Sequence, residues 1–369
     1  MELSKTFRFQ SQNLSSFIPL KNQLPFTTKL INKPKITRLT VTAKRKPPIE
    51  GVSEELNNIA CYNLDFAYTR RRVRSAFTEV HQQLDHCLFK WYERNSRGLE
   101  IFCKSWMPEP GIPIKASVCF CHGYGDTCTF FFEGVARRIA ASGYAVFAMD
   151  YPGFGLSEGL HGYIPNFDDL VDDVIEHYTQ IKARPDMREL PRFLLGQSMG
   201  GAVSLKVHLK EPDNWDGVIA DDVLPPEAIM KVLTLLSKVM PKAKLFPNQD
   251  LAELAIREPS KRKLAVYNVI CYEDNPRLRT GMELLRITKE IESKVEKVSA
   301  PLFILHGAAD KVTDPLVSQF LYENASSKDK TLKLYENGYH CILEGEPDDR
   351  IHAIHDDIVS WLDFRCSIK

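Results

Sequence analysis

Hydrophobic and polar positions along the chain follow two rhythms, and the change between them comes at Ala116. Downstream, short runs that are apolar at nearly every position alternate with helix-length periodic stretches such as 166–181. The runs are ASVCFC from Ala116, YAVFAMD from Tyr144, RFLLG from Arg192 and PLFILHG from Pro301. A run apolar at odd and even positions alike is a strand covered on both faces. The pattern therefore predicts an α/β fold: a mostly parallel central sheet with helices on both sides and right-handed crossovers. Each run ends in or beside Gly, Asp or His, at the edge where such sheets place their sites. Upstream, Leu64, Phe66, Val73, Phe77, Val80 and Leu84 recur at mixed three- and four-residue spacing among Arg and Gln, which predicts an amphipathic helix packed on the main domain. LFKWYERNSRGLEIFCKSWMP alternates on either side of Asn95-Ser96-Arg97-Gly98 and predicts an antiparallel hairpin at a sheet edge. Between Asp221 and Val298 the rhythm lapses into helical, Pro-punctuated sequence such as EAIMKVLTLLSKVM. This is expected to be a helical cap inserted over the strand ends. Ile229, Met230, Leu233, Leu236, Val239 and Met240 would face a bound chain or fill the core of the cap.

Composition changes this picture in three places. With 369 residues, 44% of them hydrophobic, there is material for one sizeable core. Lys+Arg and Asp+Glu balance at 48 each with no basic stripe, which excludes a nucleic-acid footprint. Nine cysteines without C-x-x-C or Cys/His metal spacing imply reduced, mostly buried thiols and no metal site. No apolar run reaches the roughly 18 residues that cross a bilayer, so any membrane contact would be peripheral, through the cap. Residues 1–49 contain Lys, Arg, Ser and Thr throughout and one acid, Glu2. That is the composition of an organellar transit peptide, with Lys outnumbering Arg as in a plastid leader and a cleavage region at VTA before Lys44. The expected organisation is a leader over 1–43, a helical segment over 44–85 and a main domain over 86–369 with its cap at about 221–298.

The chemistry begins at GQSMG, where Ser198 lies between the predicted strand RFLLG and a helix opened by Gly201, Ala202, Val203 and Leu205. A G-x-S-x-G at a strand-to-helix turn marks a nucleophile. Gly196 and Gly200 leave room for the sharp turn, and Gly201 for close helix–strand packing. A hydroxyl at its free pKa is a poor nucleophile and needs a general base held by a third group. Downstream, Asp310 and His340 each follow a predicted strand and meet that need in the order Ser, acid, His. Asp314 is the rival acid, but it precedes Pro315 as a helix N-cap does. His352 and His355 fall on the terminal amphipathic stretch and are expected on its solvated face; His352 and Asp357 also make an H-x4-D pair, a weak acyltransferase signal. His122 opens a strand-end turn without a ligand partner and reads as structural. Cys341 is not at an elbow. The backbone N–H groups of Met199, after the nucleophile, and Tyr124, in the CHGYGDT loop, are the candidate oxyanion donors.

CHGYGDTCTFFFEGVARRIA, AMDYPGFGLSEG, LLGQSMGGAVSL, LHGAADKVTDP and YHCILEGEPDD together resemble the α/β-hydrolase monoglyceride lipases, in particular the plant subgroup that includes caffeoyl shikimate esterases. The resemblance runs from about Leu88 to Leu362. It implies a cofactor-independent serine ester hydrolase with Ser198, Asp310 and His340 as nucleophile, acid and base, Tyr124 and Met199 as oxyanion donors, and a helical cap over an acyl tunnel. The expected substrate is a monoacylglycerol or similar lysolipid. A phenolic ester is the alternative, and a hydrolase-fold protein that binds without turnover is a third reading. One departure stands out. Relatives continue the strand after the nucleophile helix for several apolar residues, whereas here it runs from Ala220 straight into Asp221 and Asp222. Two carboxylates at a central strand end are expected to shift the local fold so as to solvate them, with either a rebuilt cap entrance or a variant of reduced activity as the result.

Overall fold

The computed structural model describes residues 48–82, 89–221, 237–245 and 251–367. The expected leader, Leu84, Asp222 and the cap positions Ile229, Met230, Leu233 and Leu236 lie outside the described residues.

Every apolar run is a strand, and the sheet they form is mostly parallel. The hairpin strands β1 (Phe89–Arg94) and β2 (Glu100–Trp106) pair antiparallel, and β1 is the edge. The sheet continues with β3 (Ala116–Cys121), β4 (Tyr144–Met149), β5 (Arg192–Gln197), β6 (Gly217–Asp221), β7 (Leu302–Gly307) and β8 (Lys330–Tyr335). Their order is β1-β2-β4-β3-β5-β6-β7-β8, antiparallel up to the β2–β4 pair and parallel beyond it. Alternate residues serve opposite faces: Phe193, Leu195, Ile219, Phe303 and Leu305 enter one buried cluster, and Leu194, Val218, Ala220, Leu302 and Ile304 the other. This two-sided burial is what the uninterrupted apolar runs encode.

Helices α1 (Glu54–Ala60), α2 (Ala67–Ala76) and α3 (Thr78–Gln82) replace the single N-terminal helix expected from periodicity. Val73 and Phe77 are buried as expected, whereas Phe66 is 58% exposed and ends the apolar stripe. Helices α4 (Phe132–Ala141), α5 (Phe167–Lys182) and α6 (Met199–Lys210) follow β3, β4 and β5. Asn166 caps α5 by accepting from the Asp168 N–H at 3.0 Å. Helix α6 is buried at every position from Met199 to His208, as its lack of a polar face requires.

Within the expected cap, the described residues form α7 (Leu251–Ala255), α8 (Pro259–Ala265), α9 (Leu278–Glu292) and a 3-10 turn at Val295–Lys297. Val239 and Met240 are 75% and 43% exposed, so neither fills a cap core. Helices α10 (Pro315–Asn324) and α11 (Asp348–Ser367) complete the chain. On α11, His352 is exposed but His355 is buried, with its Nε2 2.9 Å from the Leu343 carbonyl oxygen. The expectation that His355 is solvated is corrected: Ile351, Ile354, His355, Ile358 and Leu362 share the face that α11 buries. Asp357 of the H-x4-D pair is held by Lys333 at 2.5 Å and Tyr335 at 2.8 Å. None of the eight described cysteines forms a disulfide, and four of them are buried.

Candidate active site

Ser198 stands between β5 and α6 with φ 52° and ψ −120°, in the left-handed region that a non-glycine residue enters only under constraint. Two close approaches impose the turn. A Cβ at Gly196 would collide with the Gly200 carbonyl, and one at Gly200 with the Cys121 carbonyl, so the strand–turn–helix unit closes only with glycine at both positions. The Ser198 N–H donates to the Asp221 carbonyl at 2.7 Å, which ties the turn to the neighbouring β6.

Asp310 and His340, separated in sequence from Ser198 and from each other, meet it here. His340 Nε2 lies 3.0 Å from Ser198 Oγ, and His340 Nδ1 lies 2.8 Å from Asp310 Oδ2. Asp310 follows β7 with its side chain buried, and His340 follows β8. Burial by itself would push the Asp310 carboxyl up. Hydrogen bonds from His306, His340 and Thr313 and the charge of His340 overcome it and hold the group well below the usual carboxylate range. Asp310 Oδ1 also accepts from the Val312 and Thr313 N–H groups at 2.6 and 3.1 Å. An acid so fully engaged is fixed in place and stays ionised, as an orienting group must.

His306 and Thr313 were not singled out by the sequence reading. His306 Nε2 is 3.2 Å from Asp310 Oδ2, its Nδ1 is 2.7 Å from Ser318 Oγ, and Thr313 Oγ1 donates to Asp310 at 2.6 Å. The available signal was the i, i+4 spacing of His306 and Asp310 across the end of a buried strand. The rival Asp314 is not part of this group. It caps α10 through the Leu316 N–H at 2.9 Å, ahead of Pro315.

The two candidate oxyanion donors are next to Ser198 and next to Gly123 in sequence. Met199 begins α6, so its N–H is among those without an intrahelical acceptor. Gly123, the residue before Tyr124, approaches so closely that an added Cβ would stand 3.4 Å from Ser198 Cβ. The Tyr124 ring is held by its hydroxyl, which donates to the Gly162 carbonyl at 3.1 Å, and by edge contacts with Phe154 and Tyr272. His122 is fully buried, with Nδ1 2.8 Å from the Gly123 carbonyl and Nε2 accepting from the Tyr151 N–H at 3.2 Å. Burial lowers its pKa to about 4. It is a structural neutral imidazole.

Asp221 overturns an expectation. The local fold does not solvate it: Asp221 is fully buried as the last residue of β6, paired with Gln197 and Leu305. Among the described residues neither of its carboxylate oxygens has a hydrogen-bond partner. Burial, then the nearby charges of Glu344 and Asp310, raise its pKa well above the ordinary value. The backbone causes this placement, since the Asp221 carbonyl is the acceptor for Ser198 N–H and Asp221 completes the ladder beside Gln197. Gln197 Nε2 is already used by both oxygens of Glu344, at 2.7 and 2.9 Å. Because the folded chain binds the Asp221 proton more tightly than the unfolded chain does, stability falls as pH rises above the unfolded carboxyl range. Asp221→Asn is therefore expected to stabilise the protein by roughly 1–3 kcal/mol at pH 8, with the gain fading toward pH 4. Thermal melts of both proteins across that range check it, and a pH-independent difference would refute the protonation argument.

The chain matches the family model Hydrolase_4, described as serine aminopeptidase, S33, over residues 112–348. It is 35% identical over 273 residues to the caffeoylshikimate esterase of Arabidopsis thaliana, across 72% of this chain and 82% of that one. It is 31% identical over 293 residues to the monoglyceride lipase of Homo sapiens, across 77% and 92% of the two chains. A crystallised soluble variant of monoglyceride lipase from Saccharomyces cerevisiae shares the fold, with a TM-score of 0.65 at 22% identity over 74% of this chain and 94% of that one. The resemblance read from the five sequence motifs is borne out: the chain belongs to the Hydrolase_4 family of α/β-hydrolases.

Proposed function

We propose that the protein is a carboxylic ester hydrolase that works through a Ser198 acyl-enzyme and acts on a monoacylglycerol or similar lysolipid. The observation that carries the reading is the 3.0 Å approach of His340 Nε2 to Ser198 Oγ at a turn strained to positive φ. His340 takes the hydroxyl proton as Ser198 Oγ attacks the ester carbonyl, and Asp310 holds the Nδ1–H and stabilises the imidazolium. The N–H groups of Tyr124 and Met199 receive the oxyanion. Collapse breaks the bond to the alcohol, which leaves with the proton from His340. Water, deprotonated by the same imidazole, then releases the acid.

The greater identity to the caffeoylshikimate esterase than to the lipase supports a second reading, in which the ester is phenolic. Either ester would be cleaved here by the same three side chains, so pocket shape decides between the readings. The test is to label the protein from 44 onward with a fluorophosphonate and then measure steady-state turnover on monoacylglycerols and on hydroxycinnamoyl esters. Preference for the first supports the lipase reading, preference for the second the alternative, and stoichiometric labelling without turnover would indicate a binding protein. The acid-poor, basic composition of residues 1–49 supports a plastid address as part of the same proposal. A fluorescent reporter fused behind residues 1–50 reads it, and a uniformly cytosolic signal would overturn it.

A further inference from the structure

The loop between β4 and α5 carries glycines at 153, 155, 159 and 162, all at positive φ, between 45° and 118°. So many glycines make a loop costly to order, because each loses more backbone freedom than any other residue. Something outside the loop must hold it, and the N-terminal segment supplies the side chain. Arg70 of α2 is fully buried. Its Nε donates to the Gly155 carbonyl at 2.6 Å, and its Nη2 to the Ser157 carbonyl at 2.5 Å. Both Nη groups lie 3.4 Å from the Gly159 carbonyl, while Nη1 also reaches the carbonyls of Leu64 and Asp65 at 2.9 and 3.2 Å. One planar guanidinium thus bonds three loop carbonyls, those of Gly155 and Ser157 on buried residues that would otherwise lack a partner, and clamps them to the entry of its own helix.

The clamp extends to the reacting end of the molecule. Asp65 accepts the His161 N–H on its carbonyl at 3.1 Å and Arg277 on its carboxylate at 2.5 Å, and Arg277 Nε returns to the His161 carbonyl at 3.0 Å. The next carbonyl, that of Gly162, accepts Tyr124 Oη and Thr280 Oγ1, each at 3.1 Å. Phe154 of the same loop packs its ring against Tyr124 at 5.6 Å. The side chain of Tyr124 is therefore fixed by the loop that Arg70 orders, and its backbone N–H is the candidate oxyanion donor.

We propose that Arg70 is a positioning residue for the reaction: the N-terminal helical segment, through Arg70, holds the 153–162 loop and with it the oxyanion-binding backbone at Tyr124. The segment is on this account a working part of the esterase and not an appendage to it. Burial lowers the Arg70 pKa only to about 10, with Asp150 the first opposing charge, so the clamp persists at neutral pH. Lysine cannot replace it, since an ammonium has neither the reach nor the fork geometry for these acceptors.

The inference rests on the serine-esterase reading, so its test carries one readout that needs no turnover. In hydrogen exchange, Arg70→Met is expected to speed exchange of peptides covering 153–163 and 122–126 while leaving β5 and α6 protected. In kinetics it should lower kcat about ten- to a hundredfold, less than loss of a whole oxyanion donor, with KM changed less than about threefold. Affinity for a trifluoromethyl ketone that mimics the oxyanion should fall in parallel, and Arg70→Lys should not restore it. Should Arg70→Met fail to fold, Tyr124→Phe, which removes only the bond to Gly162, tests the same route and should lower kcat about tenfold with KM held. Unchanged exchange at 122–126, or wild-type kcat in folded Arg70→Met or in Tyr124→Phe, overturns the proposal. A wild type that shows the exchange coupling but hydrolyses no ester would instead overturn the esterase reading.

Discussion

Ser198→Ala is expected to abolish fluorophosphonate labelling and to cut ester turnover by at least about a thousandfold without loss of the fold. The argument is local. The substitution keeps Cβ and therefore every backbone contact of the turn, including the N–H bond to the Asp221 carbonyl and the packing of Gly123. It removes one oxygen, whose described partner is His340 Nε2 at 3.0 Å. Among the described residues no core group bonds that oxygen, so the melting temperature should stay within about 2 °C of wild type, in line with changes that neither open a cavity nor bury an unpaired group. Residual activity would come from the oxyanion donors and substrate binding, which survive the change. Retained labelling would mean that another nucleophile reacts. A large fall in melting temperature would mean that the turn depends on the hydroxyl, contrary to its glycine-imposed geometry.

What the chain made legible follows from how local each signal is. The strands could be read because burial on both faces leaves an uninterrupted apolar run, and the Ser198 turn because two carbonyls exclude any Cβ at Gly196 and Gly200. Asp310 and His340 could be read because strand ends converge whatever lies between them in sequence. Arg70 could not. In an arginine-rich helix it looks like a solvated residue, and the loop partners it clamps are main-chain carbonyls, which carry no residue-type signal, more than 80 positions away. His355 is misplaced when its residue type is weighed above its position: Ile351, Ile354, Ile358 and Leu362 recur around it at three- and four-residue spacing, and the docking of α11 covers that side, with the imidazole on the Leu343 carbonyl. Asp221 was misjudged in the opposite direction. Residue type alone calls for a solvated carboxylate, but the ladder with Gln197 and the bond from Ser198 N–H hold the backbone in place, and protonation is the remaining way to relieve the charge.

His340→Ala should lose nearly as much activity as Ser198→Ala, and the double variant should lose little more than either alone. Residues that act as one unit fail together: once the base is gone, the hydroxyl contributes nothing further that its removal could cost. Asp310→Asn is expected to be milder but still severe, roughly a hundredfold to ten-thousandfold in kcat. The carboxylate takes hydrogen bonds from His340, His306 and Thr313 and from two backbone N–H groups, so an amide must turn a donor toward at least one of them. If that donor faces His340, the imidazole takes the wrong tautomer and loses the charge that stabilises its protonated form. Asp314→Asn is the matched control. It changes a carboxylate four residues away that caps α10 and touches no member of the triad, and should cost less than about tenfold. Kinetics on one ester across these variants separate the outcomes. Additive losses in Ser198→Ala/His340→Ala would mean that the two side chains act independently despite their contact. A His340→Ala enzyme that keeps most of the wild-type rate would assign the base elsewhere, and equal losses in Asp310→Asn and Asp314→Asn would shift the acid's role from charge to the folding of the loop after β7.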